Sequence, residues 1–218
     1  MRWRTNKFFK RILTFVIIAI ILVTVGAIYL TVTYPLSYKK SIDIYSKKYN
    51  VDPYLIAAII NVESNYDKKA ISHKEARGLM QISPSTGYWA AELLKIEDFN
   101  LDLLFEPETN IMIGTWYLDN LSKEFDNNLQ LMLAAYNGGS GNVKKWLENM
   151  EYCEDGIYLK KIPFKETEQY VEKVLKNVKV YKMLYKDEFE KPVTHEENSF
   201  IVVLHNLRKV IKNLVLYK

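Results

Sequence analysis

The sequence has little of what is typical of a β-rich, disulfide-bonded or metal-binding protein. Its 218 residues include a single cysteine, Cys153, which cannot form an intramolecular disulfide. No second cysteine or histidine lies near it, and the three histidines are scattered, so we expect no metal site. Glycine and proline are sparse, at 8 and 6 residues, and strand-like alternation is nearly absent. The near absence of strand signals favours a helical fold, and the composition favours a well-packed domain over disorder.

Negative charge is missing from the N-terminus. Residues 1–11 contain no acid and five cations, namely Arg2, Arg4, Lys7, Lys10 and Arg11. Because the whole chain has a formal net charge of +4, the remaining residues carry −1. This balance gives no support to a nucleic-acid partner.

An uncharged run rich in Ile, Val and Leu follows, from Ile12 to Val32. As a helix it is long enough to cross a hydrocarbon core of about 30 Å. We predict a signal anchor over residues 12–33, a cytoplasmic basic tail over 1–11, and a single pass that leaves the rest of the chain outside the cytoplasm. The alternative is a cleaved signal peptide, because Val25-Gly26-Ala27 offers a small-residue cleavage pattern.

Beyond this segment the pattern predicts successive helices separated by short polar turns. Asp52-Pro53 and Ser83-Pro84 each combine an N-cap residue with proline at the first helical position. Asn137-Gly138-Gly139 is a stop signal for a short apolar helix. The predicted fold class is all-α, with helices over residues 38–49, 53–65, 129–136, 141–148 and 166–186, and others starting at 84 and 107.

One carboxyl group stands out by its position. Glu63 follows Ile56, Ile59 and Ile60 by seven, four and three residues, so it shares their apolar helical face and points inward. Desolvation and the negative end of the helix dipole both raise the pKa of such a carboxyl, which suits a general acid at neutral pH. The alternative is a glutamate that ends the helix with its side chain turned to solvent.

Four ordered motifs indicate a family. They are VDPYLIAAIINVESNY around Glu63, GLMQIS at Gly78–Ser83, AAYNGG at Ala134–Gly139 and IPFKETEQYV at Ile162–Val171. Each is weak alone, but all four in order make a specific pattern. The chain resembles the catalytic domain of lytic transglycosylases of the soluble (SLT) type, which are related to goose-type lysozyme.

The resemblance implies a lysozyme-like helical domain over residues 38–186 that faces the cell wall and binds peptidoglycan glycan strands, without a cofactor. It implies cleavage of the β-1,4 bond between N-acetylmuramic acid and N-acetylglucosamine. Glu63 would first protonate the leaving oxygen and then, as a carboxylate, take the proton from the 6-hydroxyl of the muramoyl sugar, which closes a 1,6-anhydro ring. A single carboxyl group suffices because the substrate supplies its own attacking oxygen.

The same resemblance implies substrate-binding roles for five further residues: Ser72, Gln81, Tyr136, Asn137 and Tyr170. A turn-stabilising amide is the alternative for Gln81, and core packing is the alternative for the two tyrosines. Glu75 departs from the family pattern, which commonly has glycine there, so the local loop geometry is in question.

Residues 187–218 extend beyond the resemblance. Leu204, Leu207, Ile211 and Leu214 share one helical face, with Arg208, Lys209 and Lys212 available to the other, which predicts a basic amphipathic helix. Such a helix could dock on the domain, lie on the membrane or bind an envelope-assembly partner.

Two alternative functions stay open from the sequence. A goose-type-lysozyme-like hydrolase would cut the same bond with the same glutamate. A non-catalytic glycan-binding module of the envelope would keep the fold without the chemistry.

Overall fold

The structure is a computed structural model that describes residues 2–190, with side chains from residue 7 onward. Within this range the chain is helical, and β structure is limited to isolated bridges. The prediction of an all-α fold is therefore confirmed. The helices are α1 (Arg2–Thr33), α2 (Lys39–Tyr49), α3 (Pro53–Glu63), α4 (Pro84–Leu94), α5 (Pro107–Glu124), α6 (Leu129–Gly138), α7 (Ser140–Leu147) and α8 (Lys165–Leu184), with a short 3-10 helix at Leu101–Phe105.

Helix α1 belongs to a different compact unit from the other helices. Its apolar part, Lys7–Thr33, has 27 residues, and none of its most apolar stretch is buried in protein. By length and composition it qualifies as a membrane-spanning helix, as a signal sequence near an N-terminus also would.

The second compact unit, Leu36–Val193, is built around α3. The side chain of Asp52 caps α3 by accepting a hydrogen bond from the Tyr54 amide at 2.9 Å, and Pro53 occupies the first turn. Every residue from Leu55 to Asn61 is buried. A helix that is apolar on all sides must be enclosed by other helices, so α3 is the central helix of the domain.

Helices α3 and α8 pack antiparallel. Near the start of α3, the Tyr54 hydroxyl donates to the Tyr185 carbonyl at 2.6 Å, beyond the end of α8. Further along, the buried amide of Asn177 donates to the side-chain oxygen of Asn61 at 2.8 Å. From the first of these contacts to the second, the residue number rises along α3 and falls along α8. The C-terminal end of α3 therefore faces the N-terminal half of α8.

Side chains from three helices hold the backbone of the loop at residues 77–82. The Ser64 hydroxyl, at the end of α3, donates to the Leu79 carbonyl at 2.7 Å. The Tyr136 hydroxyl of α6 donates to the Met80 carbonyl at 2.8 Å. Asn110 of α5 accepts from the Met80 amide at 2.7 Å and donates to the Arg77 and Leu104 carbonyls at 2.9 and 2.7 Å.

Two glycines allow this close approach of α5 to the loop. Gly78 has a left-handed φ of 75°, and a Cβ there would collide with the Leu104 carbonyl and the Asn110 amide. A Cβ at Gly114, one turn after Asn110, would collide with the Met80 side chain. Gly78 therefore excludes a larger residue, whereas a larger residue at Gly114 would require the Met80 side chain to shift.

Several boundaries differ from the predicted ones. Helix α3 ends at Glu63 rather than near 65, because Asn65 and Tyr66 both take left-handed backbone angles. Helix α6 continues to Gly138, and Gly139, with a φ of 87°, ends it.

The residues of the predicted amphipathic helix lie outside the described part of the chain. Of the segment 187–218, only residues 187–190 are described. Glu188 forms an ion pair with Lys39 at 2.9 Å, and the Phe189 ring packs edge-on against Tyr54.

We expect Asn110→Ala to lower the free energy of unfolding by about 3 kcal/mol, because it removes the partners of three backbone groups in the protein interior. Urea denaturation of the full-length protein in mild detergent measures this loss. The control is Asn120→Ala on the same helix, whose half-buried amide donates to the Trp116 carbonyl within α5. It should cost less than about 1 kcal/mol, and equal losses for both variants would contradict the role given to Asn110.

Candidate active site

Glu63 is the last residue of α3 and its side chain is half-buried. Ile56, Ile59 and Ile60, which precede it on the same face, are completely buried. Desolvation by these surroundings raises the pKa of Glu63 from 4.5 to about 7. Near neutral pH the carboxyl is thus close to half protonated, and it can both give and take a proton.

Helix α8 contributes three further influences on this pKa. A hydrogen bond from Tyr170 favours the carboxylate and lowers the pKa of Glu63. The negative charge of Glu166 raises that pKa, and the positive charge of Lys173 lowers it. All three residues lie in the first half of α8, which the antiparallel packing brings to the end of α3.

Tyr170 is buried, and its hydroxyl makes no hydrogen bond of standard geometry with the described residues. Its contact with Glu63 is therefore longer or less well aligned than an ordinary hydrogen bond. Burial, followed by the charge of Glu63, raises the pKa of Tyr170 well above its usual value. The phenol stays protonated and remains a hydrogen-bond donor toward the carboxyl.

Tyr136 lies on the α6 side of Glu63. Burial raises its pKa well above the ordinary value, and the Glu63 charge adds to the effect. Its hydroxyl, however, donates to the Met80 carbonyl, and its ring lies 5.5 Å from that of Tyr117. Tyr136 therefore joins the loop at 77–82 to the surroundings of Glu63.

A residue of α8 orients the side chain of Asn137, which follows Tyr136 in the chain. The buried Thr167 donates its hydroxyl proton to the Asn137 side-chain oxygen at 2.8 Å. No described residue accepts a hydrogen bond from the Asn137 amide nitrogen, which leaves that half-buried group as a donor for a ligand.

Ser72 and Gln81 make their hydrogen bonds within the neighbouring loops. The Ser72 hydroxyl accepts from the Lys74 and Ala76 amides at 3.2 and 3.1 Å. The Gln81 amide nitrogen donates to the Ala70 and Gly78 carbonyls at 3.2 and 3.0 Å. Both side chains stabilise turns, and no described residue donates a hydrogen bond to the side-chain oxygen of Gln81.

Glu75 keeps the backbone shape that glycine favours. Its φ is 63°, in the left-handed region, and its side chain is exposed. The Glu75 amide donates to the Ser72 carbonyl at 3.0 Å, which closes the turn. The departure at this position therefore leaves the turn intact and adds a charged side chain to its surface.

Three supporting residues were not given a role from the sequence: Ser64, Asn110 and Thr167. Asn110 offered a signal, because it precedes Ile113, Gly114 and Tyr117 by three, four and seven residues and so lies on the inward face of α5. A polar residue on such a face predicts a buried hydrogen-bond partner. In the described residues no group of three or more His, Cys, Asp or Glu side chains could hold a metal ion.

The profile of the transglycosylase SLT domain family matches residues 40–156. The soluble lytic murein transglycosylase of Salmonella typhimurium is 38% identical over 144 residues, which cover 65% of this chain and 22% of that protein. Membrane-bound lytic murein transglycosylase C of Glaesserella parasuis is 34% identical over 115 residues, covering 48% of this chain and 31% of that protein.

A solved structure is also similar. It is that of an inactive glutamate-to-glutamine mutant of the lytic transglycosylase Slt from Pseudomonas aeruginosa, with a TM-score of 0.63 and 30% identity. The match covers 69% of this chain and 25% of that one. The predicted lytic-transglycosylase type of helical fold is thereby confirmed.

The chain spans less than a third of the length of each of these relatives. The family profile nevertheless covers more than half of the chain, from α2 to the segment after α7. The chain belongs to the transglycosylase SLT domain family.

Proposed function

We propose that this protein is a membrane-anchored lytic transglycosylase that cleaves peptidoglycan between N-acetylmuramic acid and N-acetylglucosamine, with Glu63 as its acid and base. The observation that carries the proposal is a half-buried carboxyl whose pKa is raised to about 7 by desolvation. It lies beside two tyrosines in a chain of the transglycosylase SLT domain family.

In the first step, protonated Glu63 donates its proton to the glycosidic oxygen. The bond between that oxygen and C1 of the muramoyl sugar breaks, and the N-acetylglucosamine end leaves with a new hydroxyl. Positive charge develops at C1, and the carboxylate formed at Glu63 stabilises it, as does the N-acetyl group of the sugar. The raised pKa matters here because a carboxyl with the ordinary pKa would already have lost its proton at pH 7.

In the second step, the Glu63 carboxylate takes the proton of the muramoyl 6-hydroxyl while that oxygen bonds to C1. The product is a 1,6-anhydro sugar, no water is consumed, and Glu63 is again protonated for the next cycle. Ordinary retaining and inverting glycosidases need a second carboxylate as nucleophile or base. An attacking oxygen within the substrate removes that need.

The remaining site residues have binding or positioning roles in this proposal. The Tyr170 phenol donates to Glu63 and favours the carboxylate between the two steps. The free Asn137 amide nitrogen and the Gln81 side-chain oxygen offer a donor and an acceptor to sugar hydroxyl or N-acetyl groups. Ser72 and Tyr136 act at least through the loops that they hold, because the Ser72 hydroxyl accepts from two backbone amides and the Tyr136 hydroxyl donates to the Met80 carbonyl.

Two of the relatives support the proposal by their names. The soluble relative is called a lytic murein transglycosylase, and murein is peptidoglycan. In the relative from Pseudomonas aeruginosa, a glutamate-to-glutamine change gives an inactive enzyme. Loss of activity on removal of one carboxyl group is the behaviour that the proposed chemistry expects of Glu63.

The proposed location is the cell membrane, with one pass, the N-terminus in the cytoplasm and the domain facing the cell wall. Helix α1 has the length and composition of a membrane span. Its N-terminal end carries the cations that favour the cytoplasmic side. A relative named as membrane-bound agrees with attachment to a membrane.

Glu63→Gln should lower the rate of cleavage of purified sacculi by about a thousand-fold or more, because an amide can neither donate nor take up the proton. Mass spectrometry of the released fragments measures the effect, and the wild-type products should be lighter by one water than hydrolysis products. The control is Glu168→Gln, an exposed acid in the first turn of α8, which should cleave at the wild-type rate.

Other product patterns would contradict the proposal in distinct ways. Fragments that are heavier by one water than the 1,6-anhydro products would indicate a hydrolase of the goose-lysozyme type. Glycan binding without cleavage by the wild-type protein would indicate a non-catalytic envelope module. Full activity of Glu63→Gln would refute the catalytic role of this residue.

We expect the mature protein to retain residues 12–33 and to stay in the membrane fraction after washing with alkaline carbonate. Protease added to intact spheroplasts should digest the domain, since it lies outside the cytoplasm. The N-terminal sequence and intact mass of the purified protein provide the measurement, and a variant that lacks residues 1–33 is the soluble control. A mature protein that begins after Ala27 and leaves the membrane on washing would show that the segment is a cleaved signal peptide.

A further inference from the structure

A row of aromatic rings leads from the surroundings of Glu63 to the surface. It begins at Tyr136, whose pKa is raised first by burial and next by the charge of the nearby Glu63. The Tyr117 ring of α5 lies 5.5 Å from that of Tyr136, and the Trp89 ring of α4 lies 6.2 Å from that of Tyr117, at 86° to it. Three different helices therefore contribute one continuous set of rings.

Trp89 is the exposed end of this row. Its exposed fraction is 43%, whereas Trp116, which packs against it at 4.6 Å, is only 8% exposed. Contacts with Trp116 and Tyr117 hold the indole in place while much of its surface stays in water. A tryptophan that served only to fill the core would bury most of that surface, as Trp116 does.

The neighbouring Tyr88 offers a comparison on the same helix. It is also exposed, at 55%, but its ring packs edge-on against Phe99 at 5.5 Å, so it belongs to a different group of rings. Successive helical residues point about 100° apart. Among the described ring contacts, only Trp89 of this pair is linked through Tyr117 to Tyr136.

The chemistry of the proposed substrate fits such a ring. A β-1,4-linked glycan continues on both sides of the bond that is cut, so its binding needs contact surface beyond the catalytic carboxyl. Each pyranose ring has a face of C–H groups that is weakly polar and slightly positive. The face of an indole is apolar and carries partial negative charge, which suits stacking against those C–H groups.

We propose that Trp89, supported by Trp116 and Tyr117, is the stacking platform of a saccharide-binding subsite at a distance from Glu63, where it holds a sugar of the same glycan strand. This inference rests on the proposed function, because it assigns a further contact to the glycan whose cleavage Glu63 carries out. Its ligand is the sugar ring rather than the peptide stem.

The test measures binding to the full-length Glu63→Gln protein in detergent micelles, by isothermal titration calorimetry. The probe is a preparation of long peptidoglycan glycan strands from which the stem peptides have been removed. Adding Trp89→Ala should weaken binding about ten-fold, since it removes the stacking surface. Trp89→Phe keeps a smaller aromatic face and should lose about two- to three-fold, which keeps the test valid if the alanine variant does not fold.

Tyr88→Ala in the same background is the matched control, and its affinity should stay within about two-fold of the parent. In the protein with Glu63 intact, Trp89→Ala should lower kcat/KM on the long strands and leave the anhydro product unchanged. A drop that appears equally in Tyr88→Ala would mean general damage to α4, and it would overturn the proposal.

Two further results would overturn it. One is unchanged affinity of both Trp89 variants for the peptide-free strands. The other is a loss confined to strands that keep their stem peptides, which would assign Trp89 to peptide binding. Failure of the proposed function has a separate signature, namely the absence of anhydro product from the wild-type protein, and it would remove the basis of the subsite as well.

Discussion

The removal of the Glu63 carboxyl from water is the constraint on which the rest of this domain depends. A carboxyl at the end of a helix is normally ionised at neutral pH, and only enclosure by apolar groups keeps a large protonated fraction. Helix α3 meets this need because it is apolar on all sides and lies at the centre of the domain. The same enclosure must stay open enough for a substrate, and the half-buried state of Glu63 satisfies both conditions.

Polar side chains maintain this enclosure from several directions. The buried pair Asn61–Asn177 fixes α8 along α3, and this register brings Tyr170 to Glu63. Ser64, Asn110 and Tyr136 hold the adjoining loop through its own carbonyl and amide groups. Ser64, Asn110 and Tyr136 each satisfy a backbone group of the loop that would otherwise be costly in the interior, so the loop keeps its shape without regular secondary structure.

Local signals predicted much of this arrangement. Asp52-Pro53 and Ser83-Pro84 indicated where α3 and α4 begin, and the spacing from three isoleucines indicated that Glu63 points inward. The hydrogen-bond partners of individual atoms were harder to predict from the sequence, because they depend on how helices distant in the sequence pack together. Nothing in the sequence fixes the register of α3 against α8, or shows that the Tyr136 hydroxyl bonds the Met80 carbonyl rather than Glu63. The turn-stabilising role of Gln81 was foreseen only as an alternative, since an amide can serve a turn or a ligand.

Desolvation gives Glu63 a pKa of about 7, and a direct titration of this carboxyl tests that value. Carbon NMR of the protein labelled with [δ-13C]glutamate, with Glu63→Gln for assignment, follows this one carboxyl as the pH changes. We expect a midpoint at about pH 7 for the wild-type carboxyl. The midpoint should rise in Tyr170→Phe, which loses a donor to the carboxylate, and fall in Glu166→Gln, which loses a repelling charge. A midpoint close to the ordinary value of 4.5 in the wild-type protein would contradict this expectation.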